Sequence, residues 1–219
     1  MADNRVESGS QTLARGLNAL ALIGESERPV SVADLADRLG IHRSMAYRLV
    51  KTLEAHGFVE RLPTGALVIG VRLAALARGA SRDLQSAAAP ELGSAADDLG
   101  MTTFLVVYDG EAAVTLMSAE PRHADATVAQ RPGSRHSIDE GAPGRVVRSQ
   151  LDSARFPAAR FECSRGEIFS GLSSIAVPLL LPRGRPAAVA ALYLTTAIDQ
   201  EAVADRLLSA AARISAVVG

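Results

Sequence analysis

Basic and hydroxyl-bearing side chains recur at helical spacing between residues 42 and 56. On a helical wheel of about 100° per residue, one face is apolar and the opposite face is polar. The apolar face comprises Met45, Ala46, Leu49, Val50 and Leu53, and the polar face comprises Arg43, Ser44, Tyr47, Arg48 and Lys51. Guanidinium, ammonium and hydroxyl groups donate hydrogen bonds to phosphate oxygens and to base edges. The pattern therefore predicts a helix that docks through its apolar face and reads DNA with its polar face.

The position of each polar side chain along this helix suggests its role. Recognition helices usually present their N-terminal residues to base edges, so Arg43 and Ser44 are predicted to select the DNA sequence. Arg48 and Lys51 lie further along the helix and are predicted to bind phosphate. The predicted DNA-contacting residues of the helix are His42, Arg43, Ser44, Tyr47, Arg48 and Lys51.

The residues before this helix predict the scaffold that would present it. Ser31 and Asp34 have the spacing of a capping box, and Gly40 can adopt the positive φ that ends a short helix and turns the chain. Upstream, leucines repeat at i, i+4 and i+7, which predicts one more helix. They are Leu13, Leu17 and Leu20. This order is that of a helix-turn-helix.

A β-hairpin pattern follows the polar helix directly. Residues 57–62 and 66–69 read as two strands around the turn Pro63-Thr64-Gly65, which predicts the wing of a winged helix. Arg61, near the tip, is predicted to lie along the DNA backbone or in the minor groove. The alternative interpretation is that these cations form a helix face that is exposed to solvent and contacts no DNA. The capping box, glycine corner, helix and wing occur in the right order, which favours DNA binding.

The charge of the whole chain restricts how it could bind DNA. The 219 residues carry a formal net charge of −1, so the attraction must be local to the basic face. One small basic helix gives limited affinity at physiological salt, and a dimer that presents two helices to two half-sites is the usual solution. The length is sufficient for two domains, each with its own core.

The sequence offers little that points to catalysis. Cys163 is the lone cysteine, so neither a disulfide framework nor a cysteine metal site is indicated. His123 and His136 fall in predicted loops without metal-ligand spacing and are interpreted as surface residues. Phosphate-loop and dinucleotide fingerprints do not occur. No catalytic residue, metal or cofactor is predicted. Because neither a signal peptide nor a membrane-spanning apolar run is recognised, a cytoplasmic protein without a membrane partner is expected.

Beyond residue 70 the chain alternates between helical and strand patterns. A helical pattern covers 70–89, and Pro90 fits the first turn of a further helix that ends at Gly100. The sequence predicts strand pairs at 101–118 and 173–195, a third strand at 126–131, a short helix after the 141–144 loop and a terminal helix after Asp199. Strand pairs with flanking helices indicate an α+β domain around an antiparallel sheet.

From about Thr12 to Val218 the arrangement resembles the IclR family of bacterial transcription regulators. The motifs that carry the resemblance are Leu35-Ala36-Asp37-Arg38-Leu39-Gly40, Ser44-Met45-Ala46-Tyr47-Arg48-Leu49-Val50-Lys51-Thr52-Leu53, Gly57-Phe58-Val59, Ile69-Gly70-Val71-Arg72-Leu73 and Gly171-Leu172-Ser173-Ser174-Ile175-Ala176-Val177-Pro178. The resemblance implies a winged helix-turn-helix joined by a linker helix to a GAF-like effector domain. It also implies double-stranded operator DNA and a small-molecule effector as partners, homodimers through the DNA-binding domains, and often homotetramers through the effector domains.

The resulting domain assignment has four parts. They are a disordered N-terminus (1–9), a winged helix-turn-helix DNA-binding domain (10–70), a linker helix (71–89), and a GAF-like effector-binding and oligomerisation domain (90–219).

The resemblance also implies where an effector would bind. In the family, backbone amides of the loop that corresponds to 141–144 hold the ligand carboxylate, which assigns Gly141, Ala142 and Gly144 here. Groups near Ser164, Ser174, Ala191 and Tyr193 complete the implied site. Pro143 lacks an amide donor, and Ala191 and Tyr193 stand where the family often has small hydroxyl residues. These departures predict a more apolar cavity and an aromatic or apolar organic acid as effector.

Other functions remain open at this point. The segment 151–161 is much shorter than the family's usual pair of helices, so a constitutive DNA-binding regulator whose degenerate C-terminal domain only oligomerises is the main alternative. An enzyme with an attached DNA-binding module is disfavoured by the lack of an acid–base or nucleophile constellation. A third alternative is a winged helix that contacts another protein, for which an acidic or apolar recognition face is expected. The basic residues Arg43, Arg48 and Lys51 argue against it.

Overall fold

The computed structural model describes residues 10–26, 28–77, 81–123 and 127–219. The chain forms two compact units that divide between residues 80 and 81. Each unit has its own hydrophobic core. The predicted disorder of residues 1–9 lies outside the described residues, as does the start of the predicted strand 126–131.

The first unit is a winged helix-turn-helix, as the sequence predicted. Its elements are α1 (Gln11–Gly24), α2 (Val32–Leu39), α3 (Arg43–Ala55), β1 (Val59–Arg61), β2 (Leu67–Ile69) and α4 (Val71–Ala77). β1 and β2 pair as an antiparallel hairpin. The side chains of Leu35, Val50 and Leu67 are fully buried and join α2, α3 and the wing in one core with α1.

The predicted capping box at the start of α2 is confirmed. The Ser31 hydroxyl oxygen accepts a hydrogen bond from the Asp34 N–H at 3.1 Å, and the Asp34 carboxylate accepts one from the Ser31 N–H at 3.2 Å. These bonds satisfy two backbone donors that the first turn leaves free. Gly40 ends the helix with φ 62°, the left-handed conformation that lets the chain turn into α3.

The wing is attached to the segment before α2 as well as to its own hairpin. Val30 and Leu67 exchange two backbone hydrogen bonds, with N–O distances of 3.3 Å and 2.8 Å. Both side chains are buried in the core of the unit. The hairpin is therefore held by a third short strand-like contact, which fixes its position relative to α2 and α3.

The second unit is built on a six-stranded antiparallel sheet. Its elements are α5 (Arg82–Leu99), β3 (Thr102–Tyr108), β4 (Ala113–Ala119), β5 (Arg135–His136), α6 (Gly141–Leu151), β6 (Glu162–Arg165), β7 (Leu172–Leu179), a 3-10 turn (Pro182–Gly184), β8 (Ala187–Leu194) and α7 (Gln200–Val218). The strand order is β5-β4-β3-β8-β7-β6. This is the predicted α+β architecture.

Helices cover both faces of this sheet. Leu105 and Val107 of β3 pack with α5 and α7 in the larger core, whereas Phe104 and Val106 pack with α6 on the other face. The alternation follows from the period of two in a β-strand. Because both faces are covered, β3, β7 and β8 are apolar almost throughout.

Pro90 does not begin a new helix, so the predicted linker helix 71–89 ends in the wrong place. It lies within α5, a continuous helix from Arg82 to Leu99 that belongs to the second unit. Buried residues on both sides of Pro90, such as Ala88 and Leu92, anchor the helix to the sheet. Ser86, whose carbonyl loses its partner at Pro90, is exposed and can be hydrated. Packing therefore outweighs the helix-breaking tendency of proline.

The third strand was predicted too early in the chain. Residues 127–131 are not a strand in the structure, and the pairing with β4 is made by Arg135 and His136 after the Pro132–Gly133 turn. The edge strand β6 was not predicted at all. Its sequence, Glu-Cys-Ser-Arg, lacks the apolar alternation that sequence reading depends on.

Gly70 provides a test of the close approach between the end of β2 and the segment that joins α3 to β1. A Cβ atom at this position would lie 2.3 Å from the carbonyl oxygen of Gly57, a backbone atom that cannot move freely. We expect Gly70→Ala to destabilise the first unit by about 1–3 kcal/mol, as overpacked sites do. Amide hydrogen exchange in α2 and α3 would measure the loss. Gly16→Ala is the control, because a Cβ there meets nothing within 4 Å. Equal exchange in the two variants would contradict the prediction.

Candidate nucleic-acid interface and ligand pocket

The sequence predicted a helix from about His42 to His56. In the structure His42 is the N-cap residue that precedes α3. Its Nδ1 accepts a hydrogen bond from the Ser44 N–H at 3.3 Å and lies 2.9 Å from the Ser44 hydroxyl oxygen. The imidazole therefore replaces the serine or aspartate that commonly fills this position. His42 also orients the hydroxyl group of Ser44, the residue predicted to reach a base edge.

The polar face of α3 is exposed, as predicted. In the part of the chain that the structure describes, the guanidinium groups of Arg43 and Arg48 and the ammonium group of Lys51 have no hydrogen-bond or ion-pair partner. Tyr47 lies on the same face with 57% of its surface exposed. Ala46, Leu49 and Val50 form the buried side of the helix. These three cations are thus free to bind an anionic partner.

Met45 departs from the predicted apolar face. Its side chain is 40% exposed, and its sulfur accepts a hydrogen bond from Arg15 of α1 at 3.3 Å. Arg15 therefore stands beside the exposed side of α3. Sequence reasoning missed this residue, because α1 was recognised only from its leucine repeat.

Arg61 of the wing is already paired within the protein. Its Nε donates to a carboxylate oxygen of Glu54 at 2.9 Å, and Glu54 belongs to α3. A second nitrogen donates to the Gly65 carbonyl oxygen at 3.4 Å. The side chain thus connects the wing to α3, and its positive charge is largely compensated by Glu54. A contact between Arg61 and DNA stays a prediction.

A pocket lies in the second unit, on the face of the sheet that α6 covers. Its polar lining includes the Ser164 and Ser174 hydroxyls, whose oxygens are 2.7 Å apart across β6 and β7. The remaining lining residues are Phe104, Gln130, His136, Glu140, Pro143, Gly144, Glu167, Ile168, Phe169, Leu172, Ser173 and Leu192. The structure thus brings together the predicted residues Gly144, Ser164 and Ser174.

The predicted site residues around 141–144 form the first turn of α6 and not a loop before it. Gly141 and Ala142 are buried behind Pro143 and Gly144, which line the pocket. A Cβ at Gly144 would lie 2.5 Å from the Ser137 carbonyl oxygen, so the glycine permits a close approach of two backbone segments.

Tyr193 does not line this pocket, contrary to the prediction from resemblance. Ser174 pairs with Leu192 in the sheet, so Leu192 shares the pocket face and Tyr193 points to the opposite one. There it is buried with Ala191 in the core formed with α5 and α7. Burial raises the pKa of the Tyr193 hydroxyl. The strand register decides the matter, since neighbouring residues of a strand face opposite sides.

His136 is a pocket residue, and its interpretation as a surface residue was wrong. The Gln130 side-chain nitrogen lies 2.9 Å from the Thr115 hydroxyl oxygen and 3.0 Å from His136 Nε2. Burial lowers the pKa of His136, so the imidazole is neutral at pH 7. Sequence gave no signal for this site, because Thr115, Gln130 and His136 meet only through the pairing of β4 and β5.

Glu167 occupies the N-terminal end of α6. One of its carboxylate oxygens accepts hydrogen bonds from the Gly141 N–H at 3.0 Å and from Arg145 at 2.7 Å. The Arg145 bond lowers the pKa of Glu167, and the Gly141 bond lowers it further. This stabilisation is complete above the ordinary carboxyl pKa and is lost as the pH falls through the lowered one. Sequence reasoning missed Glu167, which lies in the turn before β7.

The pocket is small and open at one side. Its cavity volume is about 40 Å³, and one water molecule needs roughly 10–15 Å³ on this kind of measure. The apolar side chains of Ile168 and Phe169 are 40% and 58% exposed. They belong to the same turn as Glu167, so this turn forms part of the pocket's entrance.

The described residues offer no group of three or more His, Cys, Asp or Glu side chains that could hold a metal ion. Cys163 is a half-buried free thiol, and burial raises its pKa, which opposes the thiolate form that a nucleophile needs. No helix among the described residues is long and apolar enough to cross a membrane.

Comparison with known proteins agrees with the fold. The family model of the IclR helix-turn-helix domain matches residues 12–63. The HTH-type transcriptional regulator XynR of Escherichia coli (strain K12) is 29% identical over 153 residues, which cover 68% of this chain and 60% of that protein. The chain therefore spans less than two thirds of the length of this relative.

Solved structures resemble the whole chain. An IclR transcriptional regulator from Alicyclobacillus acidocaldarius superposes with a TM-score of 0.84 at 24% identity and covers 96% of this chain and 100% of that one. An IclR homologue from Microbacterium hydrocarbonoxydans, solved as a complex with 4-hydroxybenzoate, gives 0.74 at 21% identity, with coverages of 94% and 98%. By name these relatives are transcriptional regulators. These matches show an IclR helix-turn-helix domain at residues 12–63 and, over nearly the whole chain, the fold of the solved IclR regulators.

Proposed function

We propose that the chain is a DNA-binding transcriptional regulator that acts as a homodimer or homotetramer on double-stranded operator DNA. The observation that carries the proposal is the exposed face of α3, where Arg43, Arg48 and Lys51 have no partner among the described residues. Long cationic side chains on a docked helix are suited to phosphates and to the edges of guanine.

The net charge supports the oligomeric part of the proposal. With a formal charge of −1 over 219 residues, one copy has only its local cations to bind DNA. Two copies double the number of phosphate contacts and read two half-sites. Leu13 and Leu17 of α1 are 62% and 57% exposed, which gives the first unit an apolar surface that a second copy could cover.

The second unit is proposed to sense a small metabolite in its pocket. The support is a cavity that combines apolar walls with converging polar groups, the usual composition of a ligand site. The relative crystallised with 4-hydroxybenzoate shows that an IclR homologue holds an aromatic ligand. A ligand can bind one of two protein conformations more tightly than the other. The difference between its two binding free energies then sets how far it can change the affinity for the operator.

A constitutive regulator is the second candidate, and two observations favour it. The cavity of about 40 Å³ is small. The backbone N–H of Gly141, at the start of α6, already donates a hydrogen bond to the Glu167 carboxylate. In this case the second unit only oligomerises. Operator binding would then be the same with and without extracts of small metabolites.

Selection of bound fragments from the source genome tests the proposal directly. We expect an inverted repeat of two half-sites, bound with a steep dependence on salt because phosphate contacts release counterions. Fragments without a common sequence, or binding that is insensitive to salt, would contradict operator recognition by α3.

Separate roles for the α3 cations can be tested on the selected operator. We expect Arg43→Ala to cost about 1–3 kcal/mol and to relax selection at one base pair, as loss of a bidentate base contact does. Lys51→Ala should weaken binding to all sequences alike and reduce the salt slope by about 1. Fluorescence anisotropy at several salt concentrations measures both effects.

Arg61→Ala is the matched comparison for these variants, because its charge is compensated by Glu54 at 2.9 Å. We expect it to change the salt slope less than Lys51→Ala does. Identical behaviour of the Arg43 and Lys51 variants would show that the two residues do not divide base and phosphate contacts.

A further inference from the structure

We propose that the pocket of the second unit selects small ligands that carry a hydrogen-bond donor and no negative charge, and that Glu167 is the residue that rejects carboxylates. The inference rests on the ligand-sensing part of the proposed function. It replaces the organic acid expected from resemblance with an alcohol- or amine-type ligand.

The first turn of α6 has a reduced capacity for an anion, because two of its first four positions offer no free N–H. The Gly141 N–H is taken by Glu167 at 3.0 Å, and Pro143 has no N–H to give. Of the first four positions, Ala142 and Gly144 retain an N–H for which the described residues provide no partner. A helix N-terminus binds anions through several free amides, and here one internal carboxylate already does so.

The charged groups around the cavity would repel a second carboxylate. Glu140 and Glu167 line the pocket, and the lining contains no lysine or arginine. Arg145 is engaged by two carboxylates, Glu162 at 3.0 Å and Glu167 at 2.7 Å. Hydrogen bonding lowers the pKa of Glu167, so its carboxyl is ionised at neutral pH, whereas burial keeps His136 neutral. Arg145 balances only one of its two carboxylate partners, and Glu140 has no ion-pair partner among the described residues, so a ligand carboxylate would meet a net negative charge.

A donor head group finds acceptors in the same place. One oxygen of Glu167 makes both of its hydrogen bonds, to Gly141 and Arg145, which leaves the other oxygen as an acceptor. The paired hydroxyls of Ser164 and Ser174 have lone pairs to offer as well. Phe104, Leu192 and Phe169 supply apolar surface for the body of the ligand.

Three probes of nearly equal shape test the inference: benzyl alcohol, benzylamine and benzoate. They share one ring, which is larger than the cavity of about 40 Å³ and must extend through the open side of the pocket along Ile168 and Phe169. They differ mainly in the charge of the head group. Titration of the full chain at pH 7, followed by calorimetry or by NMR signals of the Ile168 methyl groups, gives the three dissociation constants. We expect the alcohol and the amine to bind at least about tenfold more tightly than benzoate, because like charges in a pocket oppose binding.

Variants assign the selectivity to Glu167. Glu167→Gln keeps the size of the side chain and an acceptor oxygen but removes the charge, and should reduce the preference for alcohol over benzoate about tenfold. Glu162→Gln is the matched control, since it removes the other carboxylate on Arg145 but does not line the pocket. It should leave the preference unchanged. Pro143→Ala restores an amide without altering any charge, and should strengthen benzoate binding even if Glu167→Gln does not fold.

The outcomes separate this inference from the proposed function. Benzoate binding to the unaltered protein as tightly as the alcohol would overturn the inference and leave ligand sensing intact. An equal effect of Glu162→Gln and Glu167→Gln would overturn the role of Glu167. Failure of all three probes to bind at millimolar concentration would overturn both this inference and ligand sensing in this pocket. DNA binding is tested separately by operator selection.

Discussion

A sheet of six strands has two apolar faces that must be shielded from water. The position of the pocket in the second unit depends on how its helices cover these two faces. The outer strands of such a sheet are about 24 Å apart, because neighbouring strands are spaced by about 4.8 Å. On one face α5 and α7 run together and complete a closed core. On the other face α6 is the one helix among the described residues, and its 11 residues extend about 16 Å and pack mainly against β6, β7 and β8. Part of the second face is left without a helix, and the pocket lies on that face.

The unequal covering explains why the pocket is both apolar and polar. Side chains that would otherwise lie under a second helix, such as Phe104 and Leu192, form its floor. The turn that carries Glu167, Ile168 and Phe169 covers part of the opening. The ion pair between Glu167 and Arg145 holds this turn against α6. The Glu167 carboxylate therefore positions the entrance turn, accepts the Gly141 N–H at the start of α6 and contributes a negative charge to the pocket.

Charge is arranged by a different rule in the first unit. Arg61 and Glu54 neutralise each other and hold the wing on α3, whereas Arg43, Arg48 and Lys51 have no partner within the described part of the chain. The exposed ion pair contributes little to stability, since such pairs are worth about 0–1 kcal/mol. Its effect lies in geometry and in limiting the positive potential to one face of the helix. A protein with a net charge of −1 can present a basic surface only by such segregation.

The parts of the fold that sequence reading predicted are those fixed by neighbours along the chain. The Ser31 and Asp34 box, the Gly40 turn and the hairpin strands each depend on residues a few positions apart. The errors have a different origin. Pro90 lies inside α5 because distant sheet residues hold Ala88 and Leu92. Tyr193 faces the larger core because β8 pairs with β7 in a register that places Leu192 beside Ser174. His136 and Glu167 enter the pocket only through contacts that no local pattern records.

The small volume of the pocket is compatible with regulation. A tenfold change in operator affinity requires a difference of only about 1.4 kcal/mol between the ligand's binding to two conformations. The best small ligands gain up to about 1.5 kcal/mol per non-hydrogen atom, so a compound with one ring has enough binding energy in reserve. What decides the response is therefore how differently the ligand contacts the two conformations. The turn at Glu167 is suited to such a difference, because a donor ligand would contact the same carboxylate that ties this turn to α6.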